Sequence, residues 1–220
     1  MTTGSTALTA IYGGTFDPVH YGHLRAAVEV RAALNCDDFR FVPAGYPPHR
    51  PAPVAGGAER LALLRAALVG HAELHLDERE IHRPGPSYMA DTLDEIRREI
   101  GPAAPLALIV GQDAANALDR WHRWPDLLAV AHLVVMTRPE NPPRYAPDLA
   151  AFLEQRTAAG PEALSATPAG LVLPLMVTQL AIASSDIRAR IARRADVSFL
   201  LPDPAIKVIF ERGLYGALKS

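Results

Sequence analysis

The stretch TAIYGGTFDPVHYGHL, Thr9 to Leu24, decides the fold. Thr9 to Tyr12 reads as a strand running into a tight turn at Gly13-Gly14. A helix follows, beginning near Gly22, with Leu24, Ala27, Val28 and Leu34 at helical spacing and Asn35 as a C-terminal cap. A strand passing through glycines into a helix is the unit of an open parallel sheet, and its junction is where such sheets bind phosphates. Gly13 and Gly14 permit close backbone approach, and the helix start offers free N–H groups and a positive dipole end. His20 and His23, three apart, face one side of the first helical turn and can donate to phosphate oxygens. The competing reading is a glycine turn with two incidental histidines. A metal site finds no cysteine or third histidine nearby, so no metal held by protein side chains is expected.

Outward from that unit, the alternation continues. Phe39–Val42, Leu106–Val110 and Leu133–Met136 read as strands, the last two as apolar runs suited to burial on both faces. Leu61, Leu64 and Leu68 mark one helix. Met89, Leu93, Ile96 and Ile100 mark another, with Ser87 near its start and Gly101 past its end. Four prolines make Arg138–Asp148 a loop, and Asp148–Arg156 follows as a helix. Pro174 makes Leu171–Val177 an edge or irregular strand. Ser184 begins a helix with Ile187 and Ile191 on one face. Asp203 caps a last helix with Pro204 at its first position and Gly213 at its close. The pattern predicts an α/β fold, a doubly wound parallel sheet of Rossmann-like type, with a small C-terminal helical part. The expected organisation is one domain over 1–220, with 1–8 a flexible tail and 184–220 the helical part.

Composition bounds the class. Of 220 residues, 49% are hydrophobic, and 22 basic side chains face 24 acidic ones. That balance, with no basic recognition helix, argues against a nucleic-acid partner. Cys36 is the only cysteine, so no internal disulfide forms and a reducing compartment fits. The N-terminus lacks a signal-peptide layout, and the run from Leu171 to Ala183 is too short and broken to span a bilayer. A cytoplasmic protein with no membrane partner is the expectation, and a homo-oligomer stays open.

A second phosphate-type segment lies late in the chain. In ASSDIR, the hydroxyls of Ser184 and Ser185, the helix amides and the fork of Arg188 suit phosphate oxygens. In isolation it is a plain N-cap.

GGTFDPVHYGHL resembles the signature of the nucleotidylyltransferase superfamily, with its H-x-G-H element at His20, Gly22 and His23. ASSDIR is similar to the superfamily's second element, although Ala183 stands for its first serine and Ser185 for its threonine. Between them, PPHR (Pro47–Arg50), PSYMADTL (Pro86–Leu93), GQD (Gly111–Asp113), LDRWHRW (Leu118–Trp124) and HLVVMTRP (ending at Arg138 and Pro139) resemble the bacterial nicotinate-nucleotide adenylyltransferase family. So does the closing LLPDPAIKVIFERGLY, and the likeness runs from Ile11 to Tyr215.

The resemblance implies transfer of the adenylyl group of ATP to nicotinate mononucleotide, with magnesium accompanying ATP. It implies catalysis by His20, His23 and Arg188. ATP would be met by Gly13, Gly14, Thr15, Phe16, His20, His23, Gly111, Asp113, Arg138, Ser184, Ser185 and Arg188. It places Trp121 against the nicotinate ring, and the His122 amide and the helix start at Tyr88 and Met89 on its carboxylate. His49 and Arg50 suit the acceptor's phosphate. Family members usually have threonine where Met89 stands. Trp121 also reads as a core aromatic and Asp113 as a cap. Rival functions are a sister enzyme acting on phosphopantetheine or a phosphoalcohol, and a non-catalytic nucleotide-sensing regulator.

Overall fold

The computed structural model describes residues 8–48, 52–137, 142–178 and 180–218. Six strands occur in chain order: β1 (Thr9–Gly14), β2 (Asp38–Pro43), β3 (Leu74–Leu76), β4 (Leu106–Gly111), β5 (His132–Thr137) and β6 (Val172–Met176). Every pairing is parallel, and the order across the sheet is β3-β2-β1-β4-β5-β6. The chain begins at the centre, builds outward to β3, returns to lay β4 beside β1, and builds to the other edge. The order reverses between β1 and β4, and the crevice at the carboxyl ends of those strands is where such sheets bind ligands.

The helices are α1 (Tyr21–Leu34), α2 (Gly57–Ala67), α3 (Arg79–His82), α4 (Met89–Ile100), α5 (Gln112–Ala115), α6 (Trp124–Val130), α7 (Pro147–Glu154), α8 (Glu162–Ala166), α9 (Ser184–Ala192) and α10 (Asp203–Arg212). Strand side chains alternate between two cores. Ala10, Tyr12, Ile109 and Val134 pack with α1, α2, α9 and α10 through Val30, Leu64, Ile187 and Ile209. Ile11, Leu108 and Val135 pack on the other face with α4, α6 and α7 through Leu93, Leu127 and Leu149. The sheet is thus doubly wound.

Several boundaries move. The helix expected near Gly22 begins at Tyr21, because His20 is its extended N-cap; Asn35 closes it in the left-handed conformation as expected. Leu8, assigned by sequence to the tail, is buried in the first core. Pro202, not Asp203, caps α10, which puts Asp203 and Pro204 at its first two positions. Ser87 stands near the start of α4, as expected, one residue before the cap. Tyr88 is that cap, and the Ser87 hydroxyl accepts the N–H groups of Gly45 and Tyr46, both at 3.1 Å. Pro174 does lie in an edge strand.

Two buried polar residues fasten the sheet to its connections. His132 is 1% exposed; its Nε2 donates to the Thr167 carbonyl at 2.8 Å, and its Nδ1 accepts the Leu171 N–H at 3.1 Å. Those partners require the neutral ring, and burial holds its pKa below the ordinary histidine value. Arg97 of α4 donates to the carbonyls of Gly101, Ala104, Val130 and Pro168, which ties together three connections: α4 to β4, α6 to β5 and α8 to β6.

Candidate active site

The crevice between β1 and β4 opens where Gly13 and Gly14 end β1. His20 follows in the connecting loop and turns the chain into α1. The Nδ1 of His23 accepts the His20 main-chain N–H at 3.3 Å, as the third residue of a helix does in a capping box. That bond places the His23 proton on Nε2. The two imidazoles lie face to face, with centroids 3.7 Å apart and planes inclined at 31°. A Cβ on Gly22 would meet the His20 Nδ1 at 2.9 Å and the Ile182 carbonyl oxygen at 3.6 Å, so glycine here leaves room for the stack.

Desolvation governs the pair's charge. His20 is 5% exposed, and burial pushes its pKa down to about 4. His23 is lowered well below the ordinary value, first by burial and then by repulsion from His20. Both rings are neutral near pH 7. The Nδ1 of His20 is buried without a protein partner among the described residues. An unpaired buried nitrogen costs about 1–3 kcal/mol, a cost that a ligand able to pair with it removes.

Phe16 backs the pair. Its ring is 2% exposed and stands edge-on to His23 at 5.1 Å and Tyr12 at 5.6 Å. The Phe16 ring is thus part of the wall behind the histidines, and the contact to ATP expected of this residue would come from its main chain.

The late segment comes to the same loop. Ser184 is the first residue of α9, with Ala183 as the cap, and its hydroxyl donates to the Pro18 carbonyl at 2.9 Å. Arg188 donates from Nη1 to the Asp17 carbonyl at 2.6 Å. Ser184 is thus a tether, and the exposed Ser185 is the hydroxyl free to face a ligand. Gly111 ends β4 beside the crevice, and Asp113 is exposed in the first turn of α5.

Four of the residues expected at the acceptor, Tyr88, Met89, Trp121 and His122, lie on α4 and the loop that packs against its start. Met89 opens α4, and its methyl lies where a Cβ on Gly13 would meet it at 2.6 Å. Tyr88 and His122 stack at 4.3 Å, which joins the start of α4 to the loop after Leu118–Arg120. Trp121 is half-buried against the second core, so it has both a packed and an open side. Trp124, half-buried against the same core, stands edge-on to Phe152 at 5.1 Å. His49, Arg50 and Arg138 lie outside the described residues. Among the described residues, no three His, Cys, Asp or Glu side chains converge as a metal site.

Sequence reading passed over three residues that shape this loop. Asp17 is 5% exposed and accepts the N–H groups of Val54 at 2.7 Å and Ala55 at 3.2 Å. Tyr215 donates its hydroxyl to the same carboxylate at 2.7 Å. Arg60, 1% exposed, donates to the carbonyls of Thr15, Gly45 and Ala55. Asp17 lay inside the quoted histidine motif and Tyr215 at the end of the quoted closing segment, though neither was singled out; Arg60 has no local signal.

A doubly wound parallel sheet with paired histidines at its first strand–helix junction, and an arginine delivered there by a late helix, defines a nucleotidylyltransferase-type protein. Residues 11–190 match the cytidylyltransferase-like family. The chain is 50% identical over 209 residues to a probable nicotinate-nucleotide adenylyltransferase of Methylococcus capsulatus, covering 94% of this chain and 99% of that one. It is 44% identical to the corresponding protein of Marinobacter nauticus, over 94% of this chain and 96% of the other. The chain belongs to the nicotinate-nucleotide adenylyltransferase family. In fold it matches the Plasmodium falciparum nicotinic acid mononucleotide adenylyltransferase complexed with NaAD, at a TM-score of 0.73 and 15% identity, over 95% of this chain and 97% of that one. No helix among the described residues is long and apolar enough to cross a membrane.

Proposed function

We propose that the protein joins the adenylyl group of ATP to nicotinate mononucleotide, giving deamido-NAD and pyrophosphate. The observation that carries this reading is the neutral, stacked His20–His23 pair with an unpaired buried Nδ1, set at the junction where the sheet receives phosphates. An oxygen of the acceptor's phosphate attacks the α-phosphorus of ATP. The bond from that phosphorus to the bridging oxygen of pyrophosphate breaks as the new one forms, so no side chain need act as nucleophile. Catalysis is then positioning and charge stabilisation. His20 and His23 donate to α-phosphate oxygens. Arg188 and the first amides of α9, with Ser185, receive the β- and γ-phosphates. A magnesium ion accompanying ATP would supply charge neutralisation on the triphosphate, held by the phosphate oxygens and not by side chains of this chain. Trp121 stacks on the pyridine ring, and the amides at the start of α4 and of His122 meet its carboxylate.

The test is pyrophosphate release from ATP with four acceptors: nicotinate mononucleotide, its amide, phosphopantetheine and glycerol phosphate. The acid mononucleotide is expected to give the highest specificity constant. A higher value with phosphopantetheine or glycerol phosphate would overturn the assignment, and no turnover with any acceptor would favour a sensor.

A further inference from the structure

Asp17 sits inside the histidine motif, three residues before His20, yet the proposed reaction gives its carboxylate no task. That carboxylate accepts three hydrogen bonds from the described residues. Besides the amides of Val54 and Ala55, it accepts the Tyr215 phenol from 198 residues away. Tyr215 lies in a turn over Leu214–Gly216 with φ 58°, in the left-handed region that a bulky residue keeps only when its surroundings hold it there. Burial and the adjacent carboxylate push its hydroxyl far above the usual phenol range, so it remains a donor.

The same carboxylate also approaches Arg188. Its Oδ2 is 3.9 Å from Nη1, while the Asp17 carbonyl holds that nitrogen at 2.6 Å. Arg188 thus stands between two demands. The carbonyl seats it with its remaining donors available for phosphate, and the carboxylate would draw it inward if left short of partners. A phenol on Oδ1 helps satisfy the carboxylate and weakens that pull. Arg60 keeps the loop from shifting to resolve the competition, because it grips the Thr15 carbonyl at 2.9 Å.

Resting on the proposed function, we infer that Asp17 and Tyr215 are positioning residues: the C-terminal turn, through the Tyr215 hydroxyl on Asp17, sets the aim of Arg188 at the triphosphate. The competing explanation is a stitch that holds the chain end and does nothing else. A stitch affects stability; a positioning residue affects ATP and spares the acceptor.

The variant is Tyr215→Phe, which keeps the ring and removes only the donor. The measurements are the dissociation constant of magnesium-ATP by titration calorimetry, the acceptor's Michaelis constant, and unfolding in urea. ATP binding is expected to weaken by about tenfold, the scale of one charge-assisted hydrogen bond, with the acceptor constant within about twofold of wild type. The comparison variant is Ile96→Ala, in the carboxyl-terminal half of α4, away from the crevice. It should unfold at lower urea and bind ATP as wild type. Unchanged ATP affinity in Tyr215→Phe, or an equal loss in Ile96→Ala, would overturn the inference. Wild-type protein gives a second readout: magnesium-ATP is expected to slow amide exchange in the peptide covering residues 214–217, and unchanged exchange counts against the link. If wild type binds ATP but makes no deamido-NAD, the proposed function falls while the affinity comparison still decides the role of Tyr215.

Discussion

The roles proposed for His20 and His23 rest on what surrounds them. Stacked at 3.7 Å and largely shut off from water, they cannot both hold protons in the free protein. An arriving triphosphate reverses that balance, because negative charge favours the imidazolium. Magnesium-ATP binding near pH 6 is therefore expected to take up protons, measurable by calorimetry in two buffers of different ionisation enthalpy. Equal heats in the two buffers would place the histidines away from the phosphates. The same shifts make the free protein acid-sensitive. Below the ordinary histidine pKa of about 6.5 the unfolded chain takes up a proton that folded His20, at about 4, refuses. Stability should fall between those values, by on the order of 3 kcal/mol for His20 alone, as followed by urea midpoints against pH. His23→Ala should stay folded and lose about a hundredfold in turnover, the usual cost of one preorganised donor. Near-normal turnover would remove His23 from the mechanism. At this scale the histidines were legible because type, spacing and position in a strand–turn–helix unit coincide. Asp17, Arg60 and Tyr215 were not, because their meaning lies in partners tens to hundreds of residues away.

Elements impose their own chemistry. The start of α4 presents the first amides of a helix, with no side-chain cap among the described residues, and a dipole's positive end beside His122. A carboxylate satisfies such donors; a carboxamide must turn an amino group toward them. The acid acceptor should be preferred over the amide by on the order of a hundredfold in kcat/KM. Comparable values under the same ATP and magnesium would show that α4 does not read the carboxylate. Met89 brings an apolar side chain over Gly13, so any contact here from that residue is through its main chain. Trp121→Ala should raise the acceptor's KM, at about 1–3 kcal/mol for a lost stacking surface, and leave ATP parameters near wild type. Loss of folding would instead favour its packed side. Elements with whole turns or unbroken apolar runs could be read from sequence: α1, α4, β4 and β5. β3 has three residues, α3 four and α8 five, too few for a period to show.

The whole molecule depends on two cores that share one sheet. Leu93 is fully buried between α4 and the strands, so Leu93→Ala opens a cavity that rigid strands cannot close. A loss of about 3 kcal/mol is expected, lowering the melting temperature by roughly 6–12 °C for a chain of this size. A shift under one degree would mean that this face is far more yielding than its packing implies. Ala10 and Tyr12 face one core and Ile11 the other, but three apolar residues in a row do not show that; the doubly wound architecture was readable from the alternation of strand and helix patterns along the chain. The sheet also ends in a particular way. One border is a strand of three residues, and the other contains Pro174, which has no N–H to offer. Neither border is a long, regular template on which another chain could add a strand. The enzyme should therefore resist fibrillar association when concentrated or partly unfolded, and restoring a donor at Pro174 would weaken that protection.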